Sequence, residues 1–303
     1  MNIESGRRVV GLVLASWCAS AFAGGELADP AVGGDWNADA TWSGGVRPQA
    51  GEAVVVKPTA DAKVTLTADD STDYKSLTFY SSSAINKAAS IEFDGNDKTL
   101  VMPYSEAGNY DAKPFVFLDG NGKNILYVND ANLSEGDKTK AAPVRLTNAH
   151  FTLSQTADGS STFVLDRGKM DFCTDAGDAS ANREVYLAHG LAKTLTVAVA
   201  NATIEVPKFF SAWNGTGLSY FFDHATFISH GLAKLAVDNG YYYKDCDIEA
   251  KDSTFNFLGG AFFGRGENKT FEDCTITGGA IDPRWTHNTV FKNCTMNLTG
   301  CMD

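Results

Sequence analysis

The sequence lacks any apolar run long enough to cross a bilayer as a helix, which takes about 20 residues. The longest such run, from Val9 to Ala23, falls short of that. Cysteine is sparse, with six in 303 residues, and no CxxC or Cys/His pair has the spacing of a sequence-local zinc site. Proline is scarce too, and no Pro-rich or Ser-rich linker divides the chain, which points to one continuous domain. No segment sustains helical periodicity over three turns, so α-helical folds are excluded. Nothing in the sequence calls for a cofactor or a metal.

What is present begins with an export signal over residues 1–23. Arg7 and Arg8 supply a positive start, Val9 to Trp17 an apolar core, and Ala21-Phe22-Ala23 a small-x-small cleavage site. The mature chain is expected to start at Gly24. The residues around the arginine pair do not fill out a twin-arginine signal, and Trp17 before Cys18 argues against lipid anchoring. Setting aside Glu4, Arg7 and Arg8 from the 25 basic and 37 acidic side chains leaves 23 and 36, a net charge of −13. That surface repels phosphate backbones, so nucleic acid is excluded as a partner. The mature chain has no membrane span, and the expected location is outside the cell or on its surface, in a bacterial host. Five cysteines remain after cleavage, an odd set that is no disulfide framework.

One short phrase returns along the chain: apolar, any residue, Asn or Asp, Ala or Cys, any residue, apolar. It reads Leu146-Thr147-Asn148-Ala149-His150-Phe151, Phe271-Glu272-Asp273-Cys274-Thr275-Ile276 and Phe291-Lys292-Asn293-Cys294-Thr295-Met296. Looser copies centre on Ala131, Gly168, Ala202, Ala225 and Cys246, giving a period of about 20 residues with two longer steps. Such a period fits one coil of a parallel β-helix, stacked on the next at about 4.8 Å. Asn or Asp suits the corner turn and the small residue suits a bend toward the core. Cys246, Cys274 and Cys294 then act as buried small residues, and Cys274 is placed to oxidise with Cys294. Short β-branched or aromatic runs such as Val54-Val55-Val56, Phe115-Val116-Phe117 and Leu195-Thr196-Val197 agree. A β-sandwich also has many short strands but does not explain a phrase at a fixed interval.

The expected fold is therefore all-β, a right-handed single-stranded parallel β-helix. Residues 24–100 form an N-terminal cap and first coils, and 101–303 the helix proper, with truncation at its C-terminus one reading of its open end.

The segment from Asp35 to Val56 carries Trp36, Trp42, Gly44-Gly45, Pro48 and Gly51-Glu52 ahead of its first strand. It resembles the start of autotransporter passengers and related bacterial surface proteins, and the entry segment of some β-helical hyaluronan-binding proteins of animals. The likeness covers about 70 residues, to roughly Asp94-Gly95, and implies a parallel β-helix with no particular activity. It also implies a C-terminal membrane barrel, for which the residues after the last repeat leave no room. A minimal cap, a longer parent protein and a partner over the open end all stay open.

The pentapeptide His189-Gly190-Leu191-Ala192-Lys193 recurs as His230-Gly231-Leu232-Ala233-Lys234. Read as two coils apart, it joins Trp213, Arg265, Arg284 and Trp285 into an aromatic and basic stripe with His189 and His230. Such a stripe suits a polysaccharide or a surface protein as partner; the competing reading is a set of Gly turns inherited by duplication. The expected role is structural or adhesin-like. The alternative is a polysaccharide lyase or glycoside hydrolase, whose acid, base or ligand candidates are Asp282, Glu267, Arg265, Arg284 and His287. Asn-x-Thr triplets at Asn201, Asn214, Asn268, Asn293 and Asn297 are read as turn chemistry rather than glycosylation. Asp119-Gly120-Asn121-Gly122 and Asp94-Gly95-Asn96-Asp97 are read as hairpins or turns.

Overall fold

The computed structural model describes residues 25–102, 115–129, 143–173, 184–189, 191, 193–213, 217–238, 243–244, 246–263, 268–282 and 288–300. The export signal expected over 1–23 lies outside them. Among the described residues the fold is nearly all β, with one 3-10 turn at Asp39–Thr41 and no α-helix.

The strands assemble into two large sheets, of 11 and 16 strands. The chain visits them in rotation, as its last part shows. Ala261–Phe263 lies in the first sheet, Lys269–Glu272 and Thr275–Gly278 in the second, and Ile281–Asp282 is back in the first, parallel to Ala261–Phe263. The second sheet has two leaves. Strands reached from the first sheet, such as Leu218–Asp223 and Cys246–Lys251, make an entry leaf; those after the corner, such as Thr226–Ser229 and Thr254–Phe257, make an exit leaf. The long strand Ser161–Asp171 belongs to both, pairing with Leu195–Ala200 along its first half and with Ala202–Val206 along its second.

Alternation explains the strands. In Ala202–Val206 every second residue is buried and those between are half-exposed, the pattern of a sheet with one face in the core. The buried face is dominated by phenylalanine. Phe93 stacks on Phe151 with ring centroids 5.1 Å apart, Phe222 meets Phe255 edge-on at 5.1 Å, and Phe263 stacks on Phe271 at 5.7 Å. Each fully buried ring contributes about 1.5–3 kcal/mol over an exposed one. At the start of the stack Trp36 and Trp42 are wholly buried, edge to face at 5.1 Å. The two tryptophans of the resemblance segment are core residues.

The corner between the leaves carries the repeated phrase. Asn148, Asn201, His224, Asp252, Asp273 and Asn293 all have φ between 45° and 55°, the left-handed region that Asn and Asp tolerate best among residues with a Cβ. The small residue that follows each is Ala149, Ala202, Ala225, Ser253, Cys274 or Cys294. From Ala202 on they lie over one another, because Thr203, Thr226, Thr254, Thr275 and Thr295 pair in succession. Ala225, Cys274 and Cys294 thus share one ladder. Two details differ from the sequence reading. Cys246 is off the ladder, opening a strand opposite Leu218; Ser253 takes its place, its hydroxyl donating to the Lys251 carbonyl and accepting the Ala225 N–H. The copy at Ala131 lies outside the described residues.

A second departure concerns the direction of winding. Asn124–Asn129 runs antiparallel to both its neighbours in the first sheet, and Val144–Gln155 runs antiparallel to all three of its own in the second. The stacking order along both sheets stays sequential, so the described strands of this circuit run in the opposite direction from those on either side. Two hairpins make the reversals. At the first, Asp119 accepts N–H bonds from Asn121 and Lys123, and Gly122 has φ of 72°. At the second, Asp158 accepts the Ser160 N–H and Gly159 has φ of 89°. Asp119–Gly122 is therefore a hairpin, while Asp94–Asp97 is a corner turn between Ala89–Asp94 and Thr99–Met102, which do not pair with each other. The expected uniform helix is interrupted by one reversed circuit.

Candidate functional site: a polar groove with an exposed phenylalanine

The outward face of the entry leaf holds a depression of about 330 Å³. Three strands build it. In Leu218–Asp223, Leu218, Tyr220 and Phe222 point into the core, which leaves Ser219 and Phe221 outward. In Cys246–Lys251, Ile248 and Ala250 point inward, leaving Asp247 and Glu249 outward. The third strand, Lys269–Glu272, presents Thr270, with Asn268 just before it.

Register arranges these side chains as a grid. Ser219 lies opposite Asp247, and Phe221 opposite Glu249, which lies opposite Thr270. Asp247 accepts the backbone N–H of Asn268 at 3.2 Å, tying the second and third strands at the groove floor. Phe221 is 42% exposed, an aromatic platform with two carboxylates, an amide and two hydroxyls around it. Along the corner edge of the same strands runs a ladder of alternating charge, Asp223, Lys251, Glu272 and Lys292 in register. Lys292 donates to Glu272 at 2.5 Å, and that bond holds the Glu272 carboxyl below its ordinary pKa.

The sequence-predicted site residues are distributed differently. His189 ends a strand of the first sheet and its backbone lies opposite Trp213, which lies opposite Asp238. Asp282 is opposite Phe262 in the same sheet and is half-buried. His230 is elsewhere. It follows the exit-leaf strand Thr226–Ser229 and precedes Ala233–Asp238, so His189 and His230 stand at opposite edges of the first sheet. The backbones of His189 and His230 thus occupy different parts of the circuit rather than equivalent positions two coils apart. Arg265, Glu267, Arg284, Trp285 and His287 lie outside the described residues.

Among the described residues three groups bring metal-ligating atoms within 4.8 Å of one another: Cys173, Glu205 and His230; Glu92, Asp94 and His150; and Asp223, His224 and Asp252. The second is saturated by its own ion pairs. Lys63 bridges Glu92 and Asp94, Arg167 holds Asp94, and His150 touches Asp166 at 2.5 Å and Glu92 at 3.0 Å. The third is exposed on a turn. In the first, His230 Nε2 meets Glu205 at 2.6 Å, and the other Glu205 oxygen binds Lys169 at 2.6 Å. Burial works against the Glu205 charge, but the bonds from Lys169 and His230 outweigh it and lower the pKa.

Phe221, Asp247, Glu249 and Thr270 escape a reading by motif because no repeated phrase marks them. The available signal is alternation: in Leu218-Ser219-Tyr220-Phe221-Phe222-Asp223, Phe221 is the one apolar residue out of phase with the inward set. Compared with protein family models, with curated proteins and with solved structures, the chain matches none.

Proposed function

We propose that this chain is an exported right-handed parallel β-helix with an adhesive role, holding a polysaccharide along the outward face of its entry leaf. The observation that carries the reading is the groove around Phe221. A sugar ring offers a flat C–H face and a rim of hydroxyls; an exposed aromatic ring stacks on the first while carboxylate, amide and hydroxyl groups bond to the second. Strands at about 4.8 Å spacing repeat such contacts along an axis, which suits a chain ligand. The parallel register and the corner ladder support the helix, and residues 1–23 support export.

A glycan array tests it. Wild-type protein should bind a polysaccharide, with Phe221→Ala and Asp247→Ala each weakening binding about tenfold, as expected for about 1.4 kcal/mol of lost contact. Binding that neither variant alters, or no binding to any glycan, overturns the proposal. Cleavage of the bound glycan would move the reading to a carbohydrate-active enzyme on the same groove.

A further inference from the structure

We propose that Cys173, Glu205 and His230 form a binding site for a borderline divalent metal ion, with Zn²⁺ as the best match. Each ligand comes from a different one of three successive circuits. Cys173 follows Ser161–Asp171, Glu205 lies in Ala202–Val206, and His230 follows Thr226–Ser229. The sequence therefore shows no spacing motif, because stacking rather than local sequence brings the ligands together. Their donor atoms already lie within 4.8 Å of one another; a tetrahedral ion with Zn–S of about 2.3 Å and Zn–N or Zn–O of about 2.0–2.2 Å keeps its ligand atoms about 3.3–3.6 Å apart, so the 2.6 Å contact between His230 and Glu205 opens as the ion enters and the thiol closes on it.

The donor set is selective. One thiol, one imidazole and one carboxylate suit Zn²⁺, whereas Mg²⁺ and Ca²⁺ take oxygen ligands. Three protein ligands leave the fourth tetrahedral position to water. Binding is balanced by loss of the thiol proton to solvent and by placement of the imidazole proton on Nδ1, which frees Nε2 for the metal.

Outer contacts fix the ligands. Lys169 binds the Glu205 oxygen that faces away from His230, and also Asp171 at 3.0 Å. Asp171 in turn accepts the Cys173 N–H at 2.9 Å. The His230 backbone is held on a tight turn: its N–H donates to the Val206 carbonyl at 3.1 Å, and the buried Ser229 hydroxyl donates to the Gly231 carbonyl at 2.9 Å. Gly231 has no room for a side chain, since a Cβ there would stand 2.6 Å from the Lys208 side chain. Such supporting shells are what metal ligands need to keep their orientation. The Glu92 and Asp223 groups lack a thiol, which separates the three sites spectroscopically.

Co²⁺ titration of the purified full chain, followed by Zn²⁺ displacement, tests the site. One equivalent of Co²⁺ should bind with a thiolate-to-cobalt charge-transfer band in the near ultraviolet. Cys173→Ser should remove that band and His230→Gln should weaken affinity about tenfold or more, while Glu92→Gln leaves both unchanged. Circular dichroism identifies any variant that fails to fold, and half-buried His230 provides the check if Cys173→Ser does not fold. A charge-transfer band that survives Cys173→Ser, or no band in the folded wild type, overturns the site.

Discussion

Trp36 donates its indole N–H to the carboxylate of Asp70 at 2.7 Å, in a pocket where Trp36 is wholly buried and Asp70 only 4% exposed. Tyr74 donates to the same oxygen at 2.6 Å, and Thr72 gives its N–H and hydroxyl to the other. One buried charge thus collects four donors, the farthest of them 34 residues away in the chain. A second tryptophan joins the set, because Trp42 donates to the Trp36 carbonyl at 2.9 Å.

Asp70→Ala should cost about 3 kcal/mol or more, since it strands several buried donors at about 1–3 kcal/mol each. Asp70→Asn should cost less, as an amide offers one acceptor where the carboxylate offers two. Burial pushes the Asp70 pKa up, but the bonds from Tyr74, Thr72 and Trp36 outweigh it and leave it below the usual value. A lowered native pKa contributes stability above the unfolded value of about 3.9, lost as pH falls through the native one. Denaturant titration at pH 7 and at pH 3 checks both points. A loss under about 0.5 kcal/mol at pH 7 would show that the network is dispensable.

His150 gives the opposite dependence. It sits where the reversed circuit crosses from one leaf to the other, between Asp166 and Glu92, with Lys63 bound to Glu92 and Arg167 to the nearby Asp94. Burial lowers its pKa, yet the bonds and charges of Glu92 and Asp166 win and raise it. Its contribution is full below the unfolded pKa of about 6.5 and is lost as pH rises through the higher native value. The melting temperature of the wild type should therefore gain on going from about pH 8 to about pH 6, relative to His150→Gln. Parallel profiles for the two proteins would remove the histidine from the account.

The corner ladder was legible because its chemistry is narrow. Left-handed φ at Asn201, Asp273 and Asn293 restricts the residue type, and the bend behind it restricts size, so both leave a mark. Following cysteine instead of the left-handed residue leads to Cys246, although Asp252-Ser253 satisfies both constraints. Direction of winding leaves no such mark. Parallel and antiparallel strands share the same inward-outward alternation, and Val144–Gln155 reads like any other strand. The groove was illegible for a related reason: outward positions such as Asp247 and Thr270 meet solvent, and nothing in the fold fixes their identity.

His224 is the exception within that ladder, a histidine at φ of 50° where other circuits carry Asn or Asp. His224→Asn should be neutral or stabilising by up to about 0.5 kcal/mol, and His224→Val should cost about 1–2 kcal/mol, because a β-branched side chain tolerates that backbone poorly. Equal stability for the asparagine and valine variants would show that the corner relaxes out of the left-handed region. Thermal melts of the three proteins decide it.

The two ladder cysteines differ in access, and that difference predicts their chemistry. Both are thiols, each donating to a backbone carbonyl, Cys274 to Glu272 at 3.2 Å and Cys294 to Phe271 at 3.3 Å. Burial raises the Cys274 pKa, while Cys294 in the next circuit is only half-buried. Because the thiolate is the nucleophile, iodoacetamide on the folded protein should label Cys294 before Cys274. Pairing of Thr275 with Thr295 places the two cysteines in adjacent circuits, at a Cα separation of about 4.8 Å that a disulfide spans. Mild oxidant should then join them within one chain, protect both from alkylation and raise the melting temperature; Cys294→Ser should abolish the link. Equal labelling rates for the two thiols, or a cross-link that forms only between chains, would contradict their stacking on one ladder.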